Sequence, residues 1–431
     1  MIRRPPRSTQ GVSSAASDVY KRQELPFSIN PTNSETFVLK HAHDLKERII
    51  NPSGQNAAYA HLTPIYQPPY FNARTYWNNF SSTSGGMNSL NTTQRLLNWI
   101  ATNERASNEN PMGPSPRIFD SIEAILKETH RYPDGNATRL KSTIARKFDV
   151  KDEQVTIGNG SNDIIEFVAR IFLSKEDSAI YSEHAFAVYP LVVKAVGAKG
   201  IEVPAKNFSH DLDQMLESIQ DNTKLIFIAN PNNPTGSFIE YDQLISFLEK
   251  VPENIIVLLD QAYFDYSSFE TKDIEFDILN RFPNLIMSRS FSKAYGLAGF
   301  RVGFCVSSRE IADYLNRVRQ PFNANSLALY AAEKALEDQD FIDKCLQLNL
   351  VQKEMLFEEL ISLGYDCLPS RGNFISFDCK QDSQEAFNKL LVEGVIVRSL
   401  AVYKMPNYLR VSVGLPEENL AFLKKIKQTL I

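Results

Sequence analysis

The chain has 431 residues, with 46 Lys+Arg against 51 Asp+Glu and a formal net charge of −5. Hydrophobic residues at 43% and charged residues at 23% describe a globular protein with material for a sizeable core, which argues against a disordered chain. The mild acidity gives no electrostatic reason to expect a nucleic-acid or anionic-membrane partner. Apolar runs such as 225–229 and 255–259 are of strand length and far short of a membrane span. Cys305, Cys345, Cys367 and Cys379 lie too far apart for a CxxC metal pattern and are too few for a disulfide scaffold. The composition is of a cytosolic type, and an enzyme without a metal site is expected.

Residues 1–23 carry five basic side chains and one acid, and lack the apolar stretch of a secretory signal. The string MIRRPPRSTQGVSSAASDVYKRQ resembles translated sequencing-adapter sequence and is expected to be a non-native segment. Residues 24–114 read as an N-terminal extension and arm. They are rich in Asn, Ser, Thr and Tyr up to 107, nearly balanced in charge, and show helical periodicity at 39–50 and 90–101. His41 and His43 would not share a helix face, which argues against a metal site there.

Past 106 the texture changes to alternating helices and strands. Residues 115–130 place Ile118, Ile122, Ile125 and Leu126 on one helical face. Apolar strands are expected at 154–158, 178–183, 224–230, 254–260, 284–290 and 301–306, separated by helical runs such as 164–172 and 241–250. Strands buried on both faces with helices between them predict an α/β fold. The expected architecture is a mostly parallel open sheet flanked by helices, in a large domain of 115–322. Residues 323–431 read as a smaller α+β domain, helical over 326–363, with strands at 373–378, 394–400 and 408–414 and a closing helix at 419–430.

In an open α/β sheet, ligands bind beyond the carboxyl ends of the strands, and four polar clusters fall there. Gly158-Asn159-Gly160-Ser161-Asn162-Asp163 leads into a helix. Its free N–H groups and positive dipole end suit a phosphate, although such a turn can be purely structural. Asn230-Pro231-Asn232-Asn233-Pro234-Thr235-Gly236 is either a rigid turn or a loop that fixes the Asn233 amide. Asp260, in Asp260-Gln261-Ala262-Tyr263, directly follows Ile-Val-Leu-Leu. A carboxylate buried there needs a cationic partner, by default a structural salt bridge. Ser290-Phe291-Ser292-Lys293 sets a lysine among hydroxyls and small residues, eight positions before Arg301. Most lysines are solvated; one desolvated in a cleft can form a Schiff base. Together the clusters specify a ligand with a phosphate, a ring hydroxyl, a basic ring nitrogen and an aldehyde. Pyridoxal 5′-phosphate (PLP) carries all four.

Seven strings occur in order: SNENPMGPSP (107–116), RYPDGN (131–136), AFAVYP (185–190), NPNNPTG (230–236), DQAY (260–263), SFSKAYGLAGFRVGF (290–304) and YLRVSVG (408–414). Over 107–431 the chain resembles the fold-type-I PLP-dependent aminotransferases, and within them the histidinol-phosphate aminotransferase group. By that resemblance Lys293 is similar to the lysine that binds the cofactor aldehyde and then shuttles the substrate proton. Asp260 is similar to the partner of the ring nitrogen. Asn233 and Tyr263 would bond the ring oxygen, and Phe186 would stack on the ring. Ser161, Asn162, Ser290, Ser292 and Arg301 would hold the phosphate. Tyr132 would reach the neighbouring subunit's cofactor phosphate, which implies a homodimer with shared active sites. Arg410 resembles the arginine that forks a substrate α-carboxylate, and Arg398 the one that contacts a side-chain phosphate.

Two departures stand out. Ser399 occupies a position that is usually Pro, and the nearest counterpart of an upstream L-x-P-Y element is LTPIY at 62–66, with one extra residue. The resemblance implies amino-group transfer from histidinol phosphate to 2-oxoglutarate. The alternatives are transamination of aromatic or other L-amino acids, or decarboxylase or synthase chemistry on the same fold. A transaminase-like regulatory module would instead carry a basic, helix-turn-helix-like N-terminal block, unlike 24–107.

Overall fold

The computed structural model describes residues 105–267 and 276–431. The adapter-like string, both periodic stretches of the extension and the LTPIY string lie outside the described residues.

Seven strands build the main sheet: β1 (Val155–Gly158), β2 (Ser178–Ser182), β3 (Lys199–Val203), β4 (Thr223–Ala229), β5 (Ile256–Asp260), β6 (Leu285–Ser290) and β7 (Gly303–Ser307). Their order is β1-β7-β6-β5-β4-β2-β3. Only β7 runs antiparallel to its neighbours; the pairings among the other five strands from β6 to β3 are parallel. The expected α/β sheet is present. The central strands are apolar on both faces because both faces are covered. Ile226, Ile228, Val257 and Leu259 pack with Leu244 and Phe247 in one core, and Leu225, Phe227 and Leu258 pack with Ile164 and Val168 in another. The edge strand β3 has no counterpart in the sequence reading. Lys199, Gly200 and Glu202 are exposed, so it shows no apolar run and forms by pairing with β2.

A second sheet has four antiparallel strands: β8 (Asp366–Cys367), β9 (Phe374–Asp378), β10 (Arg398–Ser399) and β11 (Tyr408–Ser412), in the order β10-β11-β9-β8. Its apolar side packs on Leu356, Leu360, Phe387, Phe422 and Ile426.

Three expectations are corrected in detail. The stretch 326–363 is two helices, Ser326–Glu337 and Gln339–Ser362, broken at Asp338, whose carboxylate accepts from the Ser115 hydroxyl. Residues 115–130 open as a 3-10 turn, Pro116–Ser121, and continue as the short helix Ile122–Lys127; Ile118 is buried but Leu126 is 50% exposed. Of 394–400 only Arg398–Ser399 is strand, and the apolar Val395, Ile396 and Val397 serve the core without extending the ladder. Among the described residues no helix is long and apolar enough to cross a membrane, no group of His, Cys, Asp and Glu could hold a metal, and the four cysteines are free.

His210 is buried, and its Nε2 accepts the backbone N–H of Ala229 at the end of β4 at 3.3 Å. Burial pushes its pKa down to about 4, so the native state holds it neutral. A group with a depressed native pKa contributes stability above its unfolded value that is lost on acidification. Stability is therefore expected to fall between about pH 6.5 and 4, by up to ~3 kcal/mol from this residue. Denaturation midpoints across that range should show a shallower pH slope in His210→Gln; an unchanged slope would contradict the assignment.

Candidate active site

The register of the main sheet gathers the polar clusters at one end. Asp260 closes β5 and Ser290 closes β6. Gly303, the first residue of the antiparallel β7, pairs with both Ser290 and Gly158. The glycine turn after β1, the serines after β6 and the approach to β7 at Arg301 are therefore neighbours, although they are distant in sequence.

Asp260 is 6% exposed. Its Oδ2 accepts from the Tyr189 hydroxyl at 2.9 Å, and its Oδ1 accepts from the Ala262 N–H at 3.1 Å and the Ser288 hydroxyl at 3.3 Å. Burial raises its pKa, and these three donors oppose the rise. The default salt bridge is not there: no ion pair to Asp260 occurs among the described residues. Three neutral donors hold a buried anion in place and leave its charge uncompensated.

Beside it, the Tyr263 hydroxyl accepts from Asn108 Nδ2 at 3.0 Å and from Asn233 Nδ2 at 3.3 Å. The 230–236 loop is braced by its own side chains. Asn230 exchanges two bonds with the backbone of Ile239, and Asn232 donates to the carbonyl of His184 and to the Thr235 hydroxyl. The Asn233 Oδ1 accepts from Arg410, whose second terminal nitrogen donates to the Ala106 carbonyl. The half-buried Lys293 amine donates to the Ser107 carbonyl at 2.8 Å and lies 5.5 Å from the centre of the Tyr263 ring. Lys293, Tyr263, Asn233, Arg410 and Asp260 thus share one neighbourhood. Phe186 stands edge-on to Tyr189 at 5.9 Å, one side chain removed from Asp260.

A cup lies at the end of β1 and β6. Gly160 opens the helix Ser161–Phe172 with φ +86, and a Cβ there would come within 2.5 Å of Arg301 Nη2. A Cβ on Gly303 would fall 2.6 Å from the Ser161 amide nitrogen. Both positions require glycine because backbone and guanidinium approach so closely. Arg301 Nη1 donates to the Ser292 hydroxyl at 3.3 Å, and the Ser290 hydroxyl accepts from the Ser292 N–H at 3.1 Å. Asn162 sits in the first turn of the same helix. The cup carries helix N–H groups, hydroxyls and one guanidinium, the donors that an anion such as phosphate takes.

Arg398 on β10 pairs in register with Arg410 on β11. It is half-buried, and no hydrogen bond or ion pair to it occurs among the described residues. Tyr132 is not drawn into this neighbourhood: it is 82% exposed and stacks on Phe322 at 4.7 Å.

The sequence reading missed Tyr189, Ser288 and Asn108. Ser288 was signalled, because it shares a strand face with Ser290 inside an apolar run. Nothing in the local pattern marks Tyr189, which sits in an apolar helix. Asn108 has φ 55, and its Oδ1 accepts from the Ser412 hydroxyl, tying the 105–108 strap to β11.

The family model for aminotransferase class I and II matches residues 105–426, and the chain belongs to that family. It is 49% identical over 335 residues to a histidinol-phosphate aminotransferase 1 of Idiomarina loihiensis, covering 78% of this chain and 91% of that one. It is 51% identical over 325 residues to a histidinol-phosphate aminotransferase of Methylobacillus flagellatus, covering 75% and 88% respectively. Among solved structures, histidinol-phosphate aminotransferase from Sinorhizobium meliloti, crystallised with pyridoxal-5′-phosphate, superposes with a TM-score of 0.73 at 23% identity, covering 87% of this chain and 98% of that one. At that identity the likeness is one of fold.

Asn108→Ala removes a buried donor to Tyr263 and the acceptor for Ser412, and leaves a β-carbon residue at positive φ. The variant is expected to lose ~2–4 kcal/mol of stability by chemical denaturation. A loss under ~0.5 kcal/mol would contradict the strap's role.

Proposed function

We propose that the chain is a PLP-dependent transaminase that moves the amino group of histidinol phosphate to 2-oxoglutarate. The observation that carries the chemistry is the buried Asp260 carboxylate, held by three neutral donors with no cationic partner among the described residues. Such a group suits the protonated nitrogen of a pyridine ring.

The rest of the donor set fits the same cofactor. The Tyr263 hydroxyl already receives two N–H bonds, so its own proton can go to a ring oxygen. The glycine-lined cup supplies the phosphate donors. Lys293 would hold the aldehyde, Asp260 the ring nitrogen, Asn233 and Tyr263 the ring oxygen, and Phe186 the ring face. Ser161, Asn162, Ser290, Ser292 and Arg301 would hold the phosphate. Bound there, the cofactor supplies an electron-withdrawing ring that stabilises negative charge on the carbon carrying the amino group.

The chain's own groups do the rest. Asp260 would hold the ring nitrogen in its protonated form by its negative charge. Lys293 would act at Nζ as the general base that takes the proton from the carbon carrying the amino group, and then as the acid that gives it back. Arg410 presents a planar fork to the carboxylate of the oxo acid, aimed by Asn233. Arg398 offers a second cation to the phosphoryl group of the amino donor. Support for this donor comes from about half identity to proteins named histidinol-phosphate aminotransferase.

Several features of organisation belong to the same reading. The exposed pair Tyr132 and Phe322 suits a homodimer in which Tyr132 meets the partner's cofactor phosphate. Residues 115–322 form the cofactor-holding domain and 323–431 the small domain, in a cytoplasmic enzyme.

The test is a panel of amino donors assayed with 2-oxoglutarate, in the wild type and in Arg398→Ala. Histidinol phosphate should be the preferred donor. Arg398→Ala should raise its KM by roughly 10- to 100-fold, with a much smaller effect on an aromatic donor. A preference for aromatic donors, or equal effects of the substitution on both, would contradict the substrate assignment.

A further inference from the structure

We propose that His184 is a positioning residue for the amino donor: its imidazole holds the turn after β10 and thereby sets where Arg398 stands. The inference rests on the transaminase reading above and deepens its substrate end.

His184 lies just past the end of β2. Its Nδ1 is 2.8 Å from the carbonyl oxygen of Tyr403. A carbonyl only accepts, so Nδ1 carries the proton and donates it. Nε2 stands 3.9 Å from Glu183 Oε2, outside hydrogen-bond distance. The side chain is 12% exposed, and its ring stacks on Phe208 at 5.7 Å, which in turn meets Tyr408 of β11 at 5.2 Å. Through its own carbonyl His184 accepts from Asn232 Nδ2 at 2.9 Å, within the loop that carries Asn233. One residue thus joins the cofactor loop of the main sheet to the second sheet.

The turn it holds, Ala401–Tyr403, connects β10 and β11, the two strands that carry the paired arginines. The Tyr403 N–H donates to the Leu400 carbonyl at 2.9 Å, and the Leu400 N–H donates to the Tyr408 carbonyl at 2.9 Å, so the turn closes tightly on the ladder. Lys404 pairs with Glu183 and Glu202, a second tie between the turn and the main sheet, but an exposed pair of that kind adds little. The two arginines differ in how they are held. Arg410 is anchored by its own bonds to Asn233 and to the Ala106 carbonyl. Arg398 has no such bond among the described residues, so its guanidinium stands where the backbone of β10 puts it. Losing the His184 donor should therefore displace Arg398 and spare Arg410, and binding groups lose their effect steeply when misplaced.

Cofactor-loaded wild type, His184→Leu and His184→Asn are compared by kcat/KM for histidinol phosphate and, separately, for 2-oxoglutarate. His184→Leu removes the donor and keeps an apolar body against Phe208. It is expected to lower the value for histidinol phosphate about 10-fold and to leave that for 2-oxoglutarate within about twofold. His184→Asn, whose amide nitrogen can take the place of Nδ1, is expected to recover most of the loss. In an Arg398→Ala background, His184→Leu is expected to cost less than about twofold further, because both act through one contact. Should His184→Leu fail to fold, His184→Gln, whose amide stands nearer the place of Nε2, is read instead. Equal losses for both substrates, no loss, no recovery in His184→Asn, or a full second loss on top of Arg398→Ala overturns this inference and leaves the transaminase reading standing. A wild type that does not use histidinol phosphate overturns the donor assignment with it.

Discussion

One buried negative charge organises this molecule. Asp260 ends a strand whose other residues are wholly apolar, and the three groups that bond it are all neutral. A carboxylate in a low-dielectric interior without a counter-ion costs several kcal/mol, and partner dipoles offset only part of that. A bound cation at the ring nitrogen would remove the penalty, so the energetics of the apoprotein and the requirement of the chemistry are two aspects of one feature. Other site groups are placed relative to Asp260 by the sheet: Tyr263 three residues on, Ser288 directly across the ladder, and Lys293 just past the end of the adjacent strand.

The site draws on both sheets. Arg410 of β11 reaches Asn233 in the loop after β4, and the Ser376 hydroxyl of β9 donates to the carbonyl of Pro234 in that loop. Asn373 donates to the Asn108 carbonyl, and Asn108 touches Tyr263. The arginine assigned to a substrate carboxylate is therefore mechanically tied to the amide assigned to the cofactor. Binding at one can be felt at the other without a long relay.

Much of this was legible in the sequence, for physical reasons. Strands buried on both faces are near-continuous apolar runs, so β4, β5 and β6 and the polar residues that end them stood out, and with them Asp260, Asn233 and Lys293. The edge strand β3, exposed along most of its length, carried no such signal. The break at Asp338 was hidden because the flanking apolar periods run on through it. Tyr189 and Asn108 could not be read from local pattern, since a buried hydroxyl or amide gains its meaning from a partner 71 or 155 positions away. The salt bridge expected for Asp260 is the instructive miss. A buried acid predicts a cation, and among the described residues none pairs with Asp260; in the proposed function the ligand would bring it.

Borohydride reduction of the protein loaded with PLP, followed by mass mapping of its peptides, tests the central claim most directly. The account predicts a reduced cofactor adduct on Lys293. The adduct on any other lysine, or on none while the protein still transaminates, would contradict it.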